Sequence, residues 1–409
     1  MKNWFKNIGP GTLVTAAFIG PGTITICSKA GVAFDYDLLW ALAMSIIACM
    51  VLQEMAARLG VVTQRGLSEV LSSEIKNPIF KSIILFIVIS AIFIGNAAYE
   101  AGNIGGGVLG LTTLISDPII EISSFKINYL SIIIGVIAFI ILFIGNYKVI
   151  ERILIGLVLF MSMAFLITAL LTQPNMLHVL QGFIPNFSDE KTWTIIGLIG
   201  TTVVPYNLFL HASLVSEKWK SAEDLHLAKR DTQIAILIGG IISMSIIIAA
   251  SSVEVNEIKN AGDLALSMEP LFGASAKYVL GLGLFAAGIT SAITAPMAAA
   301  YVVQGCFGWN KNIKSSRFRT VWMIVLFIGV IFSSTGYSSV EIITFAQIAN
   351  GLLLPFIASF LLWAMNRKEV LGKYTNSSSQ NIIGLLIVLI AIGLGVKSIW
   401  KVIEPIING

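Results

Sequence analysis

The first long apolar segment of this chain cannot be one continuous helix. It contains Phe18-Ile19-Gly20-Pro21-Gly22-Thr23, in which two glycines flank a proline. Pro21 lacks a backbone donor and its ring clashes with the carbonyl four residues back, while Gly20 and Gly22 free the chain to unwind. At membrane depth such a break must be buried in protein or line a cavity, because hydrocarbon offers freed amides and carbonyls no partner. A second interruption, Val203-Val204-Pro205-Tyr206-Asn207, falls about half a chain later. Two interrupted segments in matching positions of two halves point to the binding site of a secondary transporter.

Composition sets the surroundings of these breaks. Apolar residues make up 56% of the chain and charged residues 12%. Runs of about twenty apolar residues recur from end to end, as in a polytopic membrane protein. The net charge of +4 does not indicate nucleic acid, since basic residues in such chains collect in loops. Cys27, Cys49 and Cys306 lie in apolar segments without metal-ligand spacing and read as small buried hydrophobes. The basic start Met1-Lys2-Asn3-Trp4-Phe5-Lys6 resembles the head of a signal peptide, but the many later spans make it a retained cytoplasmic terminus.

Eleven spans are expected, near 10–32, 38–62, 79–110, 129–147, 150–172, 192–216, 232–252, 272–306, 318–336, 340–366 and 381–403. With the N-terminus in the cytoplasm, most of the 26 basic residues fall inside. Only Lys29, Lys126, Lys191, Lys259, Lys277, Lys397 and Lys401 fall outside, which agrees with the positive-inside rule and leaves the C-terminus outside. Five spans end with the chain on the far side, so the next five run in the opposite sense. The expectation is a single transmembrane domain over 1–409, with inverted repeats at about 10–172 and 192–366 and an extra helix at about 381–403.

The motifs also resemble a known family. Gly9-Pro10-Gly11-Thr12-Leu13-Val14 with Phe18-Ile19-Gly20-Pro21-Gly22-Thr23 is similar to the first helix of NRAMP divalent-metal transporters, whose break reads Asp-Pro-Gly-Asn. Leu52-Gln53-Glu54-Met55-Ala56-Ala57-Arg58-Leu59-Gly60-Val61-Val62-Thr63 resembles a run in the family's second helix. Val204-Pro205-Tyr206-Asn207-Leu208-Phe209-Leu210-His211 resembles its sixth, Met-Pro-His-Asn-Leu-Tyr-Leu-His. Weaker echoes occur at Ala287–Thr294, around Gln347 and at Leu354-Pro355-Phe356. The resemblance implies an all-α LeuT-type fold of eleven helices, a 5+5 inverted repeat with helices one and six broken, and divalent-cation transport without a cofactor.

The departures from that pattern bear on the cargo. The family's metal-binding aspartate is Gly20 here, its asparagine Thr23, its methionine Val204 and its first helix-six histidine Tyr206. A backbone carbonyl near Thr201 carries over. A dehydrated divalent ion without a carboxylate is electrostatically costly, which speaks against high-affinity Mn²⁺ or Fe²⁺ binding in the family's manner. One reading keeps a Mg²⁺-like or weakly held Mn²⁺ ion, partly hydrated, on carbonyls with Thr23, Thr201 and Asn207 as weak oxygen donors. The alternative is symport of a small anionic or zwitterionic organic solute at the positive end of the half-helix after Pro21, with Tyr206 as a wall.

Gly20, Thr23, Thr201, Val204, Tyr206, Asn207 and Gln347 are the expected substrate-binding residues. Glu100 and His211 match family positions and are the expected proton or coupling residues, an intramembrane acid being a functional hypothesis by default. Thr290, Ser291, Thr294 and Asn350 either face the cavity or bond across helices. Glu54 and Arg58 read as an i,i+4 surface pair. Gly102, Gly105, Gly106, Gly107 and Gly110 read as close-packing residues. No nucleophile–base constellation suggests an enzyme. The expected partners are a small inorganic ion or solute and the lipid bilayer, in a bacterial inner membrane. The oligomeric state stays open.

Overall fold

The computed structural model describes residues 19–115, 118–122, 125–145, 148–310 and 312–408. The basic start Met1–Lys6, the Gly9-Pro10-Gly11 motif and the first half of the expected first span lie outside them.

Helix α1, Pro21–Phe34, begins at the expected break. Gly20 is extended at φ −86° and ψ 175°, and Pro21 takes the first helical position, where its missing N–H costs nothing. Helix α2, Leu39–Thr63, closes on a left-handed Gln64 whose N–H donates to the Gly60 carbonyl. After the short α3, Leu67–Glu74, the long α4 spans Pro78–Leu111. Its first turn is capped by Asn77, whose side chain accepts from the Ile79 and Phe80 amides. An antiparallel hairpin, β1 at Ile119–Ile122 and β2 at Phe125–Asn128, leads into α5 at Tyr129–Ile144.

Next come α6 at Lys148–Leu171, the short α7 at Met176–Gln181, α8 at Thr192–Thr202 and α9 at Pro205–Lys218. Then follow α10 at Leu225–Ala250, α11 at Ala261–Leu266, α12 at Glu269–Phe272 and α13 at Ala276–Phe307. The chain closes with α14 at Ser316–Ser334, α15 at Ser339–Ala364, α16 at Lys368–Leu371 and α17 at Ser378–Asn408.

Among the described residues nine helical stretches are long and apolar enough to cross a membrane, with α8 and α9 forming one of them. The 16-residue α5 is a shorter apolar helix, and α1 covers the described part of the expected first span. Together they match the eleven expected spans.

Helix α4 packs along α13, α14 and α15, and its glycines let backbones approach. A Cβ on Gly106 would collide with the Pro21 ring, and one on Gly110 with the Gly281 carbonyl of α13. The glycine run is therefore a packing surface, as its composition suggested. All three cysteines are free and buried.

Glu54 and Arg58 correct an expectation, because they do not lie on a surface. Arg58 is only 4% exposed. Its guanidinium donates to Glu54 at 3.2 Å, to the Tyr374 carbonyl at 3.0 Å and to the Asn376 side chain at 2.7 Å. Lys229 of α10 closes on the other Glu54 oxygen at 2.7 Å. The segment between α15 and α17 folds back over the end of α2, which local i,i+4 spacing could not reveal.

Candidate functional site

The second break falls where the proline requires it. Val203 (φ −110°, ψ 75°) and Val204 (φ −74°, ψ 119°) leave helical geometry, and α9 restarts at Pro205. In a continuous helix the amide of residue 205 would donate to the Thr201 carbonyl. Proline has no such donor, so that carbonyl is released from the helical ladder.

The two breaks meet. The Thr23 and Thr201 hydroxyls share a hydrogen bond of 2.8 Å, and both residues are buried. Glycines bring α15 onto the same point. A Cβ on Gly22 would collide with the Gln347 side-chain amide, and one on Gly200 with the Gln347 backbone carbonyl. Gln347 Oε1 is buried without a hydrogen-bond partner, as is Asn350 Nδ2 one turn further along. On α1, the Thr25 and Ser28 hydroxyls are unpartnered as well. An unsatisfied buried polar group costs about 1–3 kcal/mol, so Gln347 Oε1 and Asn350 Nδ2, one turn apart, mark a place where something else supplies the partner.

The remaining expected binding residues surround this junction. Val204, Tyr206 and Asn207 are buried at the end of the break and in the first turn of α9. The Tyr206 ring stands edge-on to Tyr99 of α4, with centroids 5.2 Å apart, so α4 forms a wall of the site. Among the described residues no three His, Cys, Asp or Glu side chains gather in a way that could hold a metal ion. The junction is built from hydroxyls, amides and backbone groups.

The two expected coupling residues are also buried. Glu100 is fully buried, but its side chain abuts Gly329 of α14. One of its oxygens accepts from Asn103 at 3.4 Å and the other has no partner. His211 is held between α2 and α10, with Nδ1 2.7 Å from Gln53 Oε1 and Nε2 3.3 Å from the Thr232 hydroxyl. Thr232 also donates to the Ala228 carbonyl at 2.8 Å. Thr290 and Thr294 bond to carbonyls of their own helix, so those hydroxyls are spent within α13.

Sequence reasoning missed Gly200, Gln53, Thr232 and Tyr99. Gln53 lay inside a quoted motif, and its polar position in an apolar helix was the available signal. Nothing in the local sequence pairs Thr232 with a histidine twenty-one residues earlier.

Comparison with known proteins agrees with this geometry. The family model described as natural resistance-associated macrophage protein-like matches residues 11–401. The chain is 27% identical over 397 residues to the divalent metal cation transporter MntH of Yersinia pestis (strain Pestoides F), covering 95% of this chain and 93% of that one. It is 26% identical over 433 residues to MntH of Staphylococcus aureus (strain JH9), covering 98% and 92%. A crystal structure of the Eremococcus coleocola manganese transporter superposes with a TM-score of 0.78 at 22% identity, covering 98% of this chain and 87% of that one. With two broken helices meeting at a buried polar junction and a family match over nearly its whole length, this chain belongs to the Nramp family of multi-pass membrane transporters and has their LeuT-type fold.

Proposed function

We propose that the chain carries a divalent metal cation across the membrane by alternating access, holding it partly hydrated among neutral oxygens. The observation that carries the reading is the convergence of two helix breaks on Gln347, whose buried Oε1 has no partner. The Thr201 carbonyl released by Pro205 and the negative end of the α8 dipole lie at this junction, and both favour a cation. Thr23, Thr201, Asn207 and Gln347 supply further oxygens. Such a donor set suits a hard ion such as Mg²⁺ or Mn²⁺ that keeps part of its water shell. Val204 offers no sulfur, so soft ions such as Cd²⁺ lose the contact that would favour them. The cargo named for the relatives supports a metal over the organic-solute alternative.

Glu100 and His211 are assigned to the proton-linked step. The transporter sits in a bacterial inner membrane with the N-terminus in the cytoplasm and the C-terminus outside, a reading supported by the distribution of basic residues.

The test is flux into proteoliposomes. Saturable uptake of Mg²⁺ or Mn²⁺, weak competition by Cd²⁺, loss of about tenfold in apparent affinity in Gln347→Ala and loss of uptake in Glu100→Gln are expected. Absence of divalent flux, with thermal stabilisation by small carboxylates instead, overturns the reading.

A further inference from the structure

The segment joining α6 to α8 carries an exposed apolar surface. Met176, Leu177, Leu180, Ile184 and Phe187 are each 62–65% exposed, and Phe183 is 40% exposed. They cluster within a dozen residues, on the short α7 and the turn after it. An exposed cluster of this kind marks an interaction surface, since water contact with so much contiguous apolar area is unfavourable. Its place in the molecule identifies the partner. The last residues of α6, Leu170 and Leu171, are 72% and 49% exposed and belong to the lipid-facing surface of that span. The segment continues that surface directly, after the short polar stretch Thr172-Gln173-Pro174-Asn175.

The segment is also fastened to the protein. Val179, on the inner face of α7, is buried. The Trp40 amide donates to the Gly182 carbonyl at 2.9 Å, and the Trp40 and Phe187 rings meet edge-on at 4.5 Å. A Cβ on Gly182 would collide with the Tyr36 carbonyl. Lys191 holds Asp37 at 2.7 Å, and Lys397 of α17 holds Asp189 at 2.8 Å. The apolar side chains therefore project from a seated element at the Trp40 end of α2, about 27 Å along the helix from Arg58.

We propose that residues 176–187 lie in the membrane interface of the leaflet at the Trp40 end, with the apolar side chains inserted among the upper acyl chains and ester groups of the phospholipid. Shallow burial of this kind is how amphipathic helices attach to a bilayer surface. The attachment is apolar, because the charged residues Asp189, Glu190 and Lys191 fall after the apolar cluster rather than within it. Since the same segment grips the corner between α1 and α2, the lipid holds that corner through it.

The experiment places an environment-sensitive maleimide dye at Leu177→Cys, Leu180→Cys and Ile184→Cys, with Glu190→Cys as the aqueous reference. The three native thiols are buried, which directs labelling to the new one. All four sites are exposed, so the fold does not depend on them. Each labelled protein is placed as a single copy in phospholipid nanodiscs and probed with iodide, shallow doxyl lipid and deep doxyl lipid. The expected result is blue-shifted emission at the three apolar positions, protection from iodide relative to Glu190→Cys, and stronger quenching by the shallow than by the deep lipid. Iodide quenching equal to that of Glu190→Cys overturns the proposal and places the segment in water. Protection from iodide and from both lipids also overturns it, since the segment then packs against protein.

Discussion

Near one end of α2 the molecule buries full charges and pairs them with opposite charges, although Arg58 Nε has no hydrogen-bond partner, whereas at the helix breaks it buries uncharged polar groups and leaves several without any partner. Glu54, Arg58 and Lys229 form a compact set tied by further hydrogen bonds to the segment before α17. At the breaks, Thr23 and Thr201 pair with each other while Gln347 Oε1 and Asn350 Nδ2 have no hydrogen-bond partner. The difference separates two jobs. A paired buried charge resists removal of either partner and so holds elements in one arrangement. An unpaired neutral dipole can take up a ligand and let it go, which a carrier that must release its cargo requires.

The largest effect is therefore expected at the charged end. Arg58→Gln leaves Glu54 with Lys229 alone and takes the Arg58 donor from Asn376 Oδ1 and the Tyr374 carbonyl. Breaking such a buried pair costs about 3–5 kcal/mol, and the loss is read as a lowered unfolding temperature in detergent. Adding Glu54→Gln should cost less than the two single changes summed, because the residues share one network. A shift within the noise for Arg58→Gln would erase the contrast between the two regions.

A smaller effect is expected where α8 meets α15. Gly200→Ala puts a methyl group into the Gln347 carbonyl and close to the Gly351 amide, both backbone groups that cannot step aside. Overpacking of this kind costs about 1–3 kcal/mol. The two helices must separate, so cation uptake should fall further than stability does. Gly22→Ala meets only the Gln347 side chain, which can swing away, and should be milder on both measures. Equal effects of the two alanines would mean that α15 is not pressed against α8 as the structure has it.

These two regions were not equally legible in the sequence. The breaks could be read because Pro21 and Pro205 act locally: a missing N–H and a ring clash interrupt a helix wherever they occur. The span count was legible for the same reason, since hydropathy is a property of contiguous residues. The meeting of Thr23 with Thr201 spans 178 positions and depends on how two repeats pack, so only the matched placement of the breaks hinted at it. Arg58 was misread because its partners at 374–380 come from the far end of the chain. Glu100 was correctly expected to be deep in a span, yet its contact with Gly329 was invisible, as a glycine carries no side-chain signal of what it covers.

The smallest effect tests whether the neutral junction holds structure or cargo. Thr23→Val and Thr201→Val each remove one hydroxyl from the 2.8 Å pair and leave the other without it. A single lost hydrogen bond of this type is worth about 1 kcal/mol, so each variant should unfold slightly earlier. In the double variant the two hydroxyls vanish together and two methyl groups of similar shape replace them. Its stability should return part of the way toward that of the unaltered protein, because neither hydroxyl of the pair is left facing a methyl group. Cation uptake should behave differently and remain depressed in the double variant, since two oxygens have left the junction whichever way the fold responds. If uptake recovers along with stability, the threonine pair is a packing contact, and the cation is held by Gln347, Asn207 and the Thr201 carbonyl without it.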